Sequence, residues 1–245
     1  MTTPALDTTT PVERALVVVA HPDDLDFGAG GTIASWTAQG TVVSYCIITD
    51  GDAGGFDPTV PRDQIGGIRQ GEQRAAGKEL GVDDVTFLGY PDGRLAVSFE
   101  LRRDISRVIR QKRPQRIVVQ SPDRSYVRIG ASHPDHLAAG EAALCAVYPD
   151  ARNPFTHTEL LQDEGLEAWS VPQTWIMAAG GTANTYVDVT DTFDRKVAAL
   201  RAHVSQTEHM DDLPGMLRGW LTLQAQAGGL PEGRVAEAFR VMDTA

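Results

Sequence analysis

The sequence predicts a single α/β domain, Rossmann-like, with a mostly parallel sheet flanked by helices. Three observations predict it. Short apolar runs alternate with segments of helical period, the pattern of successive βαβ units. The chain has 245 residues, 42% of them hydrophobic and 22% charged, which suffices for a sizeable core in one unit. No internal repeat, low-complexity tract or linker divides it.

Residues 1–14, rich in Thr and Pro, lack the basic start and apolar run of a secretory signal and read as a flexible tail before a folded domain at 15–245. Residues 15–20 (ALVVVA) and 42–49 read as central strands, separated by a helix from about Gly30 to Gln39 that Gly40 ends. A second helix spans 63–80, closed by Gly81, and a strand follows near 85–88. The helix at 99–111 stops before Pro114, and 116–120 supplies a fourth strand, completing βαβαβαβ. A long polar loop, 121–132, then leads into a helix over 134–147; long loops in compact domains often carry function. Beyond it, 174–177 and 186–189 read as strands, 193–205 as a helix and 235–242 as a short terminal helix. The apolar stretch 216–223, which contains Trp220, packs on its own domain or on a second copy, so a homo-oligomer is open.

The formal net charge of -11 opposes binding to nucleic acid or to an anionic membrane surface, both of which require clustered Lys and Arg. A small-molecule partner is expected instead. No apolar run is long enough to cross a bilayer, and a soluble cytoplasmic protein is expected. Cys46 lies in a strand-like run and Cys145 in a helical one, neither in a CxxC spacing or beside a charge cluster, so both read as packing residues rather than catalytic thiols.

Chemistry concentrates at two places. The first strand ends in His21-Pro22-Asp23-Asp24, and in open α/β sheets the ligand crevice lies beyond the carboxyl ends of the strands. Taken alone, this segment reads equally well as a turn with an N-cap Asp. The fourth strand and its loop end in His133-Pro134-Asp135-His136, again two potential ligands three residues apart, here at a helix start. Neighbouring strand ends bring such loops together. Zinc accepts imidazole nitrogen and carboxylate oxygen tetrahedrally, and a catalytic site keeps one position open for water; another divalent metal such as Fe2+ would fit the same donors. Three protein ligands are therefore wanted, which assigns one carboxylate, Asp23, and one imidazole, His133, to catalysis.

AHPDD after the first strand and HPDH before a mid-chain helix resemble the paired motifs of the LmbE-like (PIG-L) N-deacetylase family. The similarity extends through ITDGDAGG (48–55), IRQGEQRAA (68–76), LGYPDGRL (88–95) and AEAFR (236–240). The resemblance implies a zinc-dependent hydrolase that removes an N-acetyl group from a small N-acylated molecule, by default an N-acetylglucosamine conjugate. It matches His21, Asp24 and His136 to the metal ligands, Asp23 to the general base, and His133 to the residue that steadies the oxyanion or protonates the leaving amine. It also implies Arg69 facing the substrate and Asp92 contacting sugar hydroxyls; without it, Arg69 reads as a solvated helix salt bridge and Asp92 as a turn residue. One position departs from the family: the acidic residue usual after AHPDD is Leu25, with Asp26 one step later.

Two other readings stay open on sequence. Residues 27–31 (FGAGG) could form a nucleotide-binding loop, although the spacing departs from GxGxxG and two carboxylates stand where a pyrophosphate would approach. A non-catalytic metal- or sugar-binding homologue could keep the cluster, although binding alone does not demand Asp23 and His133. The loops 51–62 and 124–130 are expected to shape the pocket, with Tyr126, Arg128 and Trp169 as specificity residues or loop anchors. His157, His203 and His209 have no partner at ligand spacing and read as surface or structural, with a site role open for His203.

Overall fold

A computed structural model describes residues 7–126, 129–177 and 182–245. Its strands are β1 (Arg14–Val19), β2 (Val42–Thr49), β3 (Asp84–Tyr90), β4 (Arg116–Val119), β5 (Gln173–Met177), β6 (Thr185–Asp188) and β7 (Ala236–Asp243). The helices are α1 (Asp24–Ala38), α2 (Arg62–Leu80), α3 (Phe99–Lys112), α4 (Pro134–Cys145), α5 (Thr158–Gln162), α6 (Phe193–Ala202), α7 (Val204–Thr207) and α8 (Leu213–Ala227). The strands form one sheet in the order β3-β2-β1-β4-β5-β7-β6. β1 to β5 pair in parallel, whereas β7 is antiparallel to both β5 and β6.

Alternation along β1 explains the layering. Leu16, Val18 and Ala20 pack on one face with Leu101 and Ile105 of α3 and Ala139 and Ala142 of α4. Ala15, Val17 and Val19 pack on the other with Leu25 and Ile33 of α1, Ala76 of α2 and Ala199 of α6. A strand covered on both faces reads as a continuous apolar run, which is why ALVVVA was legible as a central strand. The strand order reverses at β1: β2 lies on one side and β4 on the other. A crevice opens at such a reversal, beyond the carboxyl ends of the two strands. The segments carrying His21 and His133 follow β1 and β4, so topology alone places them together.

Three expectations change. The segment expected as a terminal helix, 235–242, is the strand β7. Its Ala, Glu and Arg content favours helix locally, but pairing with β5 and burial of Phe239 against Trp175 override that propensity. The first helix begins at Asp24 rather than near Gly30, which puts residues 27–31 inside α1 and leaves no loop there to cradle a phosphate. Gly28 serves packing, since a Cβ on it would stand 2.5 Å from Sδ of Met177 on β5. Residues 7–13, within the expected tail, are tied down: Gln173 Nε2 donates to the Asp7 carbonyl at 2.8 Å and Thr41 Oγ1 to the Val12 carbonyl at 2.7 Å. The rest of that segment, 1–6, lies outside the described residues.

The stretch 216–223 lies in α8, which buries Leu213, Leu217, Leu221 and Ala225 against Phe193, Leu200 and Val235 of its own chain. Among the described residues, no helix is long and apolar enough to cross a membrane. A buried ion pair between α6 and β7 fixes α1 to both. Lys196 Nζ bonds Glu237 Oε1 at 2.6 Å and donates to the carbonyls of Asp26 and Phe27, while Glu237 accepts the N–H groups of Gly31 and Thr32. The pair is thus inserted into the hydrogen-bond ladder of the helix whose first residues carry the site.

Candidate metal centre and active site

His21 leaves the end of β1 and its ring is buried, with a different set of partners at each nitrogen. Nδ1 lies 3.2 Å from His136 Nε2 and 3.3 Å from Asp24 Oδ2, and Asp24 Oδ1 lies 2.9 Å from His136 Nε2. Two ligands about 2.0–2.1 Å from one metal at the tetrahedral angle stand roughly 3.3 Å apart. The donor atoms of His21, Asp24 and His136 therefore converge at the spacing a divalent metal needs. His21 Nε2 faces the carboxylates of Asp92 at 3.0 Å and Asp135 at 3.2 Å.

Two other groupings bring ligand atoms within 4.8 Å, His21 with His133 and His136, and His21 with Asp92 and Asp135. Hydrogen bonding separates their roles. Asp135 accepts the N–H groups of Gly93 at 2.7 Å and Leu95 at 3.1 Å, and Asp92 accepts that of Ala53 at 3.3 Å. Asp92, in the loop after β3, and Asp135, on the first turn of α4, hold the outer nitrogen of His21, the arrangement that fixes the tautomer of a metal-binding imidazole. His133 Nδ1 accepts the Asp135 N–H at 3.2 Å, so in the neutral ring its proton sits on Nε2.

Charge in the cluster follows from burial and neighbours. Burial opposes a proton on His21, but Asp24 and Asp92 outweigh it and raise the imidazole to about 11. Burial opposes charge on Asp24 as well, yet the His136 and His21 rings beside it hold its carboxyl far below the usual range. A cation is thus favoured between these groups, and a metal arriving there displaces protons. Burial, then the His21 and His136 charges, lowers His133, which keeps it neutral.

Asp23 occupies the N-cap position of α1 with φ 87°, a left-handed conformation uncommon for a non-glycine residue, and its side chain makes no capping bond. Its Oδ2 accepts from Arg69 Nη2 at 3.2 Å. Burial first, then the Asp24 charge, raises its carboxyl to about 7 despite Arg69. Its backbone N–H donates to Gln73 Oε1 at 2.8 Å, Gln73 Nε2 donates to Asp26 Oδ2 at 2.9 Å, and His203 Nε2 meets that same oxygen at 2.8 Å. Gln73, Asp26 and His203 are all fully buried. A chain of polar contacts from α2, α1 and the end of α6 thereby holds the strained residue in place.

His21, Asp23, Asp24, His133 and His136 meet in one crevice. Arg69 is buried rather than solvated: besides Asp23 it donates to the carbonyls of Pro22 at 2.6 Å and Gly51 at 3.0 Å. Asp92 is also buried and turned to His21. Leu25 packs in the core, and the displaced acid Asp26 binds Gln73 and His203, not an arginine. Trp169 anchors a loop at the opposite end of the sheet, donating to the Pro114 carbonyl at 2.8 Å, while Tyr126 is exposed and Arg128 lies outside the described residues. His157 is buried and stacks on Phe99. Cys46 is a core residue whose thiol burial pushes up to about 12, far from a nucleophile's range.

Asp135 and Gln73 are contributors that sequence reasoning did not single out, whereas the sequence leaves a site role open for His203 and marks Asp26 as the displaced acid. Asp135 carried a signal, an acid between the two histidines of HPDH. Gln73 carried none, because a lone polar residue in a helical pattern reads as solvent-facing.

Fold and cluster together define an α/β protein with a crevice at the sheet's reversal point whose His and Asp side chains could hold a metal. The chain belongs to the PIG-L family, the GlcNAc-PI de-N-acetylases, whose family model matches residues 16–147. It is 32% identical to the diacetylchitobiose deacetylase of Thermococcus kodakarensis over 94% of this chain and 83% of that protein. It is 30% identical to a 1D-myo-inositol 2-acetamido-2-deoxy-alpha-D-glucopyranoside deacetylase of Rhodococcus erythropolis, covering 81% of this chain and 82% of the relative. The solved structure of N,N'-diacetylchitobiose deacetylase from Pyrococcus horikoshii superposes with a TM-score of 0.85 at 30% identity, covering 95% of this chain and 84% of that one.

Proposed function

We propose that this protein hydrolyses the N-acetyl group of a small N-acetylglucosamine-type conjugate, giving acetate and a free amine, with zinc held by His21, Asp24 and His136. The observation that carries the reading is the meeting of three converging donors with a buried carboxylate, Asp23, and a neutral imidazole, His133, in one crevice. The naming of similar proteins as deacetylases supports it.

Zinc bound there would supply the charge that polarises an amide carbonyl and acidifies water. Asp23 then takes a proton from the attacking water; burial makes its carboxylate a stronger base than an exposed one, and Arg69 fixes its direction. As the water oxygen bonds to the carbonyl carbon, His133 donates its Nε2 proton in a hydrogen bond to the developing oxyanion. Asp23 returns the proton to the amine nitrogen as the carbon–nitrogen bond breaks. We assign Arg69 to the base and Asp92, with Asp135, to the orientation of His21.

Acetate release from N-acetylated amino sugars, measured with metal-loaded protein, tests the reading. Asp23→Asn is expected to lower turnover by about a hundredfold or more while metal content is unchanged. Normal rates in that variant would remove Asp23 from the mechanism.

A further inference from the structure

Beside the crevice lies a cavity of about 410 Å³, within the size range of small-molecule sites. Phe56 and Val60 from the loop after β2, Ile65 and Ile68 of α2, and Val204 of α7 line it. Phe56 is 66% exposed, Ile68 43% and Val204 51%, three large apolar side chains left uncovered around one hollow. The Phe56 ring is stacked on His209 at 4.0 Å.

The cavity adjoins the base through one residue. Gly54 forms part of its wall, and a Cβ on Gly54 would stand 2.4 Å from Arg69 Nη1. The other arm of that guanidinium, Nη2, is 3.2 Å from Asp23 Oδ2. The wall of the hollow and the base thus share the two sides of Arg69. The ionisable residues in the lining are Asp57, Glu208 and His209, with no Lys or Arg. Two carboxylates without a matching cation repel an anionic substituent, and Phe56, Val60, Ile65, Ile68 and Val204 offer apolar surface to an uncharged one.

We propose that this cavity is a subsite for an uncharged apolar aglycone, so that the substrate is an N-acetylated amino sugar bearing an aromatic group. The proposal rests on the deacetylase reading, and its test separates the two. Methyl and phenyl glycosides of N-acetylglucosamine, as both anomers, are compared with the metal-loaded enzyme for kcat/KM, and by calorimetry for binding to Asp23→Asn. The phenyl glycoside is expected to exceed the methyl one at least about tenfold in both measurements. Ile68→Asp and Phe56→Ala should bring the ratio towards one while leaving the methyl glycoside unchanged. Equal values for the two glycosides in wild type, or no binding of either, would overturn the subsite. Absence of turnover with the phenyl preference kept in binding would overturn the deacetylase reading and leave the subsite standing. Sedimentation gives the remaining outcome: if Ile68→Asp dissociates an oligomer without altering the ratio, the cavity is a contact between copies and the proposal fails.

Discussion

Replacing Gln73 by Leu removes the link between Asp23 and Asp26 without touching a metal donor. In the structure Gln73 accepts the Asp23 N–H at 2.8 Å and donates to the Asp26 carboxylate at 2.9 Å. Leu fills a similar volume but leaves a buried N–H and a buried carboxylate oxygen each without that partner. Losses of this kind cost about 1–3 kcal/mol each, so the variant should be roughly 2–6 kcal/mol less stable. At about 2–4 °C per kcal/mol for a chain of this size, the melting temperature should fall by about 4–24 °C. The rate should respond separately, because Asp23 sits at φ 87° and depends on this bond for its backbone position. A displacement of about 1 Å at a catalytic group costs on the order of a hundredfold. Steady-state acetate release, metal analysis and thermal melts on one preparation read all three quantities. Bound metal should stay at the wild-type ratio and kcat should fall much more than KM changes. Gln73→Glu, which keeps an acceptor for the Asp23 N–H, should retain more of the rate. A folded, metal-loaded Gln73→Leu with kcat within twofold of wild type would refute the positioning role.

Asp135→Asn should weaken metal binding by about 10–100-fold, because the carboxylate that orients His21 through Nε2 is lost; competition with a chromogenic chelator measures this, and unchanged affinity contradicts it. The His203–Asp26 pair makes stability depend on pH. Burial opposes a proton on His203, but the bond to Asp26 and its charge outweigh it and raise the imidazole above its usual 6.5. The folded state then holds the proton more tightly than the unfolded chain, so the contribution is complete below about pH 6.5 and fades as the pH rises through the folded value. Melting temperatures should fall more steeply above that pH in wild type than in His203→Gln; parallel curves would contradict the pairing.

The parallel strands and their reversal at β1 were legible because strands covered on both faces carry unbroken apolar runs such as ALVVVA, each followed by a helix-period segment. The crevice residues were legible because each motif sits at a strand end, and the pairing of the two motifs carried more than either did alone. Three features were not. β7 is written in residues that favour helix, and only the open edge of β5 and the buried contacts of Glu237 and Phe239 decide its form. The start of α1 was obscured by Gly28, Gly30 and Gly31, which weaken a helix locally and are tolerated where Met177, Lys196 and Val189 press close. The network behind Asp23 joins residues 50 and 177 positions apart in sequence, and single polar residues at such separations announce nothing before the chain is folded.

The most direct measurement is an anomalous-scattering map at the zinc edge from crystals grown with the metal. One peak is expected, ligated by His21 Nδ1, an Asp24 carboxylate oxygen and His136 Nε2, with Asp92 and Asp135 on the opposite nitrogen of His21. A peak bound instead by His21 Nε2 with Asp92 and Asp135, or one away from this crevice, would contradict the assignment.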